Sequence, residues 1–134
     1  MRMWGFAQVW ITLVGVALVA VALLGYIENP IVGKASGALV ATNEVHNAVH
    51  LATGLLALYI ASGTRGFHLA NGVIGFGLLY AVIFGAALIS PNLFGLFGGH
   101  EAGQNVHVLH GAVALVSLAV GFVARTETAS RNAA

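Results

Sequence analysis

Two stretches of this chain carry side chains able to hold a metal or hand on a proton. Residues 43–54 read Asn-Glu-Val-His-Asn-Ala-Val-His-Leu-Ala-Thr-Gly, with His46 and His50 four apart and Gly54 one turn beyond. Residues 101–111 run from Glu101 through His107 and His110 to Gly111. Spacings of three and four put each histidine pair on one helix face. An imidazole there can ligate a metal ion, ligate the metal of a tetrapyrrole, or only hydrogen-bond to a neighbouring helix.

Each chemistry asks for a different arrangement. A tetrapyrrole iron takes one imidazole from each of two facing helices, which His50 and His107 would supply. Gly54 and Gly111, one turn deeper, would then leave room for the flat macrocycle. The pigment would be haem b or, with each histidine holding its own magnesium, chlorophyll. A transition-metal ion such as zinc, copper or iron would instead draw on His46, His50, His107 and His110, with Glu44 or Glu101 near by. The His-x-x-x-His spacing lacks the glutamate that marks a metalloprotease helix. With no cofactor at all, the histidines are interhelical hydrogen-bonding groups, worth about 0.6 kcal/mol each in a membrane, and the glycines are packing positions.

The scaffold that must position these groups is apolar. Of 134 residues, 59% are hydrophobic and 7% charged, against about 25% charged in a soluble domain. That surface belongs in lipid, as one integral membrane domain over residues 1–134. The net charge of +1, with no basic run, excludes nucleic acid as an expected partner. Cysteine is absent, which removes disulfides and thiol chemistry. No phosphate-binding glycine loop and no nucleophile–base set is legible, so the expectation is a non-catalytic protein.

Hydropathy predicts an all-α bundle of four transmembrane helices over residues 4–27, 43–62, 67–89 and 104–123. The first run is longer than the ~7–15 residues of a signal-peptide core and reads as a retained span. Trp4, Trp10 and Tyr26 lie towards its ends, where aromatic rings favour the headgroup region. Pro30 and Pro91 stop the spans before them. Thr42 or Asn43 can cap the second helix. Glycines 72, 75, 77 and 85 suit close packing of the third. The tail from Arg125 is polar and reads as mobile. His68 reads as interfacial and His100 as a loop residue. Asn47, Asn71 and Asn105 are candidates to bond across helices or orient the histidine rings.

Arg2, Arg65, Arg125 and Arg131 fall on one side of such a bundle and only Lys34 on the other, which puts both termini in the cytoplasm. Residues 44–58 and 101–115 correspond at Glu44/Glu101, Val49/Val106, His50/His107, Gly54/Gly111, Ala57/Ala114 and Leu58/Leu115. The chain is thus two tandem helical hairpins with approximate two-fold pseudo-symmetry about the membrane normal. In that arrangement His50 and His107 face each other.

The His-Asn-Ala-Val-His-Leu-Ala-Thr-Gly and Asn-Val-His-Val-Leu-His-Gly stretches, set in four spans, resemble a family of small four-helix bacterial membrane proteins catalogued as domain of unknown function 4383. The resemblance implies a bacterial inner-membrane location and four helices, and no established activity. His110 stands where the repeat has Thr53, a departure from strict symmetry of the site. Lateral packing against a larger membrane complex, or a homo-oligomer, is the expected partnership besides the bilayer itself.

Overall fold

The computed structural model describes residues 5–33, 38–96 and 104–134. Lipid leaves a backbone no outside hydrogen-bond partner, so the apolar runs close their own bonds as helices. These are α1 (Phe6–Gly25), α2 (Glu44–Gly63), α3 (Gly66–Ile89) and α4 (Gln104–Ala133). All four are long and apolar enough to cross a membrane. The chain is an all-α, multi-pass membrane bundle.

Local chemistry sets the helix ends. The Asn43 side chain accepts from the His46 backbone N–H at 2.9 Å and caps α2. At the other end Arg65 folds back, its guanidinium donating to the carbonyls of Ala61, Ser62 and Thr64. Gly66 then turns the chain into α3 at φ 56°, in the left-handed region that favours glycine.

Three local features differ from the sequence reading. First, α4 continues through the tail to Ala133. The tail lacks glycine and proline. Thr126 and Thr128 bond back to the carbonyls of Phe122 and Ala124, and Arg131 pairs with Glu127 one turn earlier. At 30 residues, α4 spans about 45 Å and projects beyond a core of roughly 30 Å. Second, the loop after α1 contains a short parallel pairing of β1 (Val32–Gly33) with β2 (Val40–Ala41). Asn29 organises the approach to it. Its Oδ1 accepts from the backbone N–H groups of Ile31 and Val32, and its Nδ2 lies at 2.6–2.9 Å from the carbonyls of Leu24, Ile27 and Val32. Third, Trp10 does not serve a headgroup belt. Its indole turns inward and donates to Ser117 Oγ of α4 at 2.9 Å.

Helices pack closely in sequential pairs, α1 on α2 and α3 on α4. Small residues permit this. A Cβ on Gly15 would lie 2.8 Å from Leu58; one on Gly77 would lie 2.9 Å from the backbone nitrogen of Leu118. Between the two hairpins sits a core that includes Ile11, Val14, Ile60, Val73, Phe76 and Tyr80. α1 and α3 approach across one diagonal of the bundle. Across the other, no described Cα of α2 comes within 8 Å of one in α4. Only side chains bridge that wider diagonal, and at the loop end they are histidines.

Candidate metal centre

Three imidazoles converge where α2 and α4 stand apart: His46, His50 and His110, exposed by 1, 4 and 7%. Ring centroids lie 4.4 Å apart for His46–His50, 5.7 Å for His46–His110 and 5.8 Å for His50–His110. Each contributes a ring nitrogen, and these nitrogens all lie within 4.8 Å of one another. The α2 pair comes from one helical turn, held at its start by the Asn43 cap. His110 reaches in from the opposite hairpin, six residues past Gln104, as His50 is six past Glu44. That places both about 9 Å below the helix starts.

α3 supplies the wall of the site. Tyr80, 1% exposed, sets its ring edge-on to His110 at 5.6 Å. Its hydroxyl shares a 2.8 Å hydrogen bond with Thr53 Oγ1, and Thr53 in turn donates to the Val49 carbonyl. Phe76 stacks behind Tyr80 at 4.9 Å. Two of the imidazoles lack such a bond. Nδ1 of His50 and Nδ1 of His110 are buried without a hydrogen-bond partner among the described residues, a condition that costs roughly 1–3 kcal/mol per group. Between the rings lies a void of about 20 Å³, lined also by Val49, Ile83, Tyr80 and, from the loop after α3, Leu93. A single water needs about 10–15 Å³. The void therefore has room for one small ion or water.

Three neutral nitrogen donors around such a space are a transition-metal ligand set. Metal–nitrogen bonds of about 2.05 Å at tetrahedral angles require nitrogens roughly 3.4 Å apart. Rotation about side-chain torsions has to close the gap from 4.8 Å.

The residues singled out from sequence fall as follows. His46, His50 and His110 come together. His107 is half-buried and outside the triad; the ring that meets His50 across the diagonal is His110, one turn along α4 from His107. The 57-residue correspondence aligned His50 with His107 and Thr53 with His110, so the site is not built on that symmetry. Gly54 and Gly111 do not open space for a macrocycle. A Cβ on Gly54 would strike α1, 2.9 Å from Val19 Cγ2 and 3.0 Å from its backbone nitrogen. On Gly111 it would lie 3.2 Å from the Phe84 ring of α3. Each glycine instead lets its helix close on its own hairpin partner. Glu44 is exposed and outside the triad; Glu101 and His100 lie outside the described residues.

Of the asparagines, Asn105 bonds the Leu39 carbonyl at 2.8 Å, tying the start of α4 to the loop beneath β2. Asn71 is exposed, and Asn47 is fully buried against Gly25. His68 is exposed, as an interfacial residue would be. Tyr80, Thr53 and Leu93 are the parts of the site that sequence reasoning missed. Tyr80 carried a signal, as a polar-tipped ring in the middle of an otherwise apolar span.

Comparison of the chain with family models, with curated proteins and with solved structures returns no match.

Proposed function

We propose that this chain is a small membrane protein that binds one transition-metal ion through His46, His50 and His110. The observation that carries the reading is the convergence of three buried imidazoles from opposite hairpins on a void of about 20 Å³. Imidazole donors suit zinc, copper, iron or nickel. No carboxylate among the described residues lines the void, so three neutral ligands leave the ion its full charge. In a low-dielectric site that favours a monovalent ion, or a divalent one carrying an anionic fourth ligand.

A haem or chlorophyll draws less support. A macrocycle needs a flat slot beside its ligating ring, whereas Gly54 and Gly111 are filled by α1 and Phe84. The wider role that fits is a non-catalytic accessory subunit of a bacterial inner-membrane complex, or a homo-oligomer. The largely uncharged exterior suits lateral packing. Membership of the family that the two histidine stretches resemble belongs to the same proposal.

The deciding experiment is elemental analysis and a visible spectrum of the full chain, purified in detergent without chelator. One metal per chain is expected, lost in His50→Ala and His110→Ala and retained in His107→Ala. A Soret band would shift the reading to a tetrapyrrole. A colourless protein that takes up no zinc or copper on titration would remove the metal reading.

A further inference from the structure

A crevice of about 330 Å³ opens between α1 and α4 and reaches His50, His110 and, from α3, Tyr80. The Trp10–Ser117 hydrogen bond tethers the two helices beside it. Leu13, Ala17 and Val21 line one wall, at the four-residue spacing of a helix face, and Leu109 and Val113 the other. Leu13 and Leu109 are also exposed on the outer surface, by 61 and 50%. The crevice therefore communicates with the lipid. Its polar groups are His50, Tyr80 and His110. The Tyr80 hydroxyl is engaged with Thr53, and Nδ1 of His50 and Nδ1 of His110 are buried with no hydrogen-bond partner among the described residues, which leaves the Nε2 edges of the two rings to meet the crevice.

We infer that this crevice binds a membrane-soluble quinone or quinol, its oxygen-bearing ring seated against His50 and His110. The chemistry of the walls selects the class. No charged side chain among the described residues lines the crevice, so an ionic headgroup placed about 9 Å below the helix starts would be stranded in low dielectric. A phospholipid can offer only an acyl chain at that depth, which leaves the imidazoles unpaired. A quinone carbonyl or quinol hydroxyl is neutral, arrives laterally through the bilayer and pairs with an imidazole as acceptor or donor. Aromatic rings of Trp10 and Tyr80 flank the space a planar ring would take. The volume is at the lower end of the ~300–1,000 Å³ usual for small-molecule pockets. That fits a ring headgroup with its tail left in the lipid. The inference does not depend on the metal, since an imidazole ligating through one nitrogen still presents the other.

The chain has two tryptophans, and a Trp4→Phe background leaves Trp10 as the only reporter. Decylubiquinone is titrated into this full-length protein in phosphatidylcholine nanodiscs. Saturable quenching of Trp10 is expected. It is lost in Ala17→Phe, which fills the crevice from the lipid-exposed side of α1, and again in Val113→Phe, which fills it from α4. An oxygen-free hydrocarbon of the same ring size should bind about tenfold more weakly, because it leaves the imidazoles unpaired. Metal content in Ala17→Phe should stay at the wild-type value, which keeps the two sites separable. Linear quenching equal in wild type and both filled variants would mean partition into lipid and would overturn the inference. Equal affinity for the hydrocarbon would overturn it too, by leaving the histidines no part in recognition.

Discussion

An ion held by His46, His50 and His110 would join the two hairpins, and that makes a quantitative prediction. Two of its ligands sit on α2, in the first hairpin, and the third on α4, in the second. The backbones of those helices do not meet, so the ion would be their main connection at this end. A ligand that binds only the folded state stabilises it by about 2.7 kcal/mol at a hundredfold excess over Kd. In SDS the helices of a membrane protein persist while the packing between them is lost. The His46–His50 pair would survive that transition, because it is local to one helix. Whatever affinity it retains is common to both states and cancels. His110 alone makes binding depend on assembly. Titration with SDS in mixed micelles, followed by tryptophan fluorescence, therefore should show the wild type gaining up to about 2.7 kcal/mol from zinc at that excess, less whatever the α2 pair retains in SDS. His110→Ala should gain close to nothing, and His107→Ala should gain as the wild type does. Comparing increments with and without metal removes the packing cost of each substitution. An equal increment in His110→Ala would show that the metal does not bridge the hairpins and would refute the geometry argued above.

Four further outcomes follow from the packing and the capping. Gly121→Ala should destabilise the α3–α4 pair by about 1–3 kcal/mol, because its Cβ would lie 2.6 Å from Ile74 Cγ1 and 2.9 Å from the Ile74 backbone nitrogen. Gly75→Ala, on the same pair of helices with nothing within 4 Å, should be neutral or stabilising by up to about 1 kcal/mol in the same SDS titration. A double-mutant cycle on Trp10→Phe and Ser117→Ala should return a coupling of about 0.6 kcal/mol, and at most about 1.7. Asn43→Ala should cost about 1 kcal/mol and lower metal affinity in isothermal titration, since the cap it removes fixes the turn that carries His46.

Much of this architecture was legible because lipid simplifies the problem. A run of twenty apolar residues has one cheap conformation in a bilayer, so α2 and α3 fall within a residue or so of their expected ends. Histidine is too polar to face lipid at depth, which is why His46, His50 and His110 were candidates before any coordinates. What hydropathy cannot report is rotation. His107 and His110 are three residues apart, about 300° on a helical wheel, and apolarity constrains both about equally. Which of them meets α2 depends on how α4 rolls against α3. That roll is set by Gly121 against Ile74 and Gly77 against Leu118, contacts between positions 41 to 47 residues apart. The tail of α4 was misread for a related reason. Beyond the bilayer, polarity no longer distinguishes a helix from a loop, and only the absence of glycine and proline pointed the right way.

The division of labour among the glycines explains why the site lies between hairpins rather than within one. Gly15 and Gly54 close α1 on α2, and Gly77, Gly111 and Gly121 close α3 on α4. Packing that tight leaves no room for a ligand at those crossing points. The interface between the pairs lacks equivalent glycine contacts across α2 and α4, and there the wider diagonal is spanned by imidazoles instead. A buried polar bridge contributes little packing energy, so the junction should be the weaker seam of the bundle, and the seam most responsive to whatever binds it. Both binding proposals act at this place, the metal from within the bundle and the lipid-soluble ring through the gap between α1 and α4. Hydrogen exchange of α2 and α4 near the triad should accordingly slow on adding zinc, while the Gly77–Gly121 region should not change. Uniform protection of all four helices would mean that the hairpins already behave as one unit, and that the histidines are not the hinge between them.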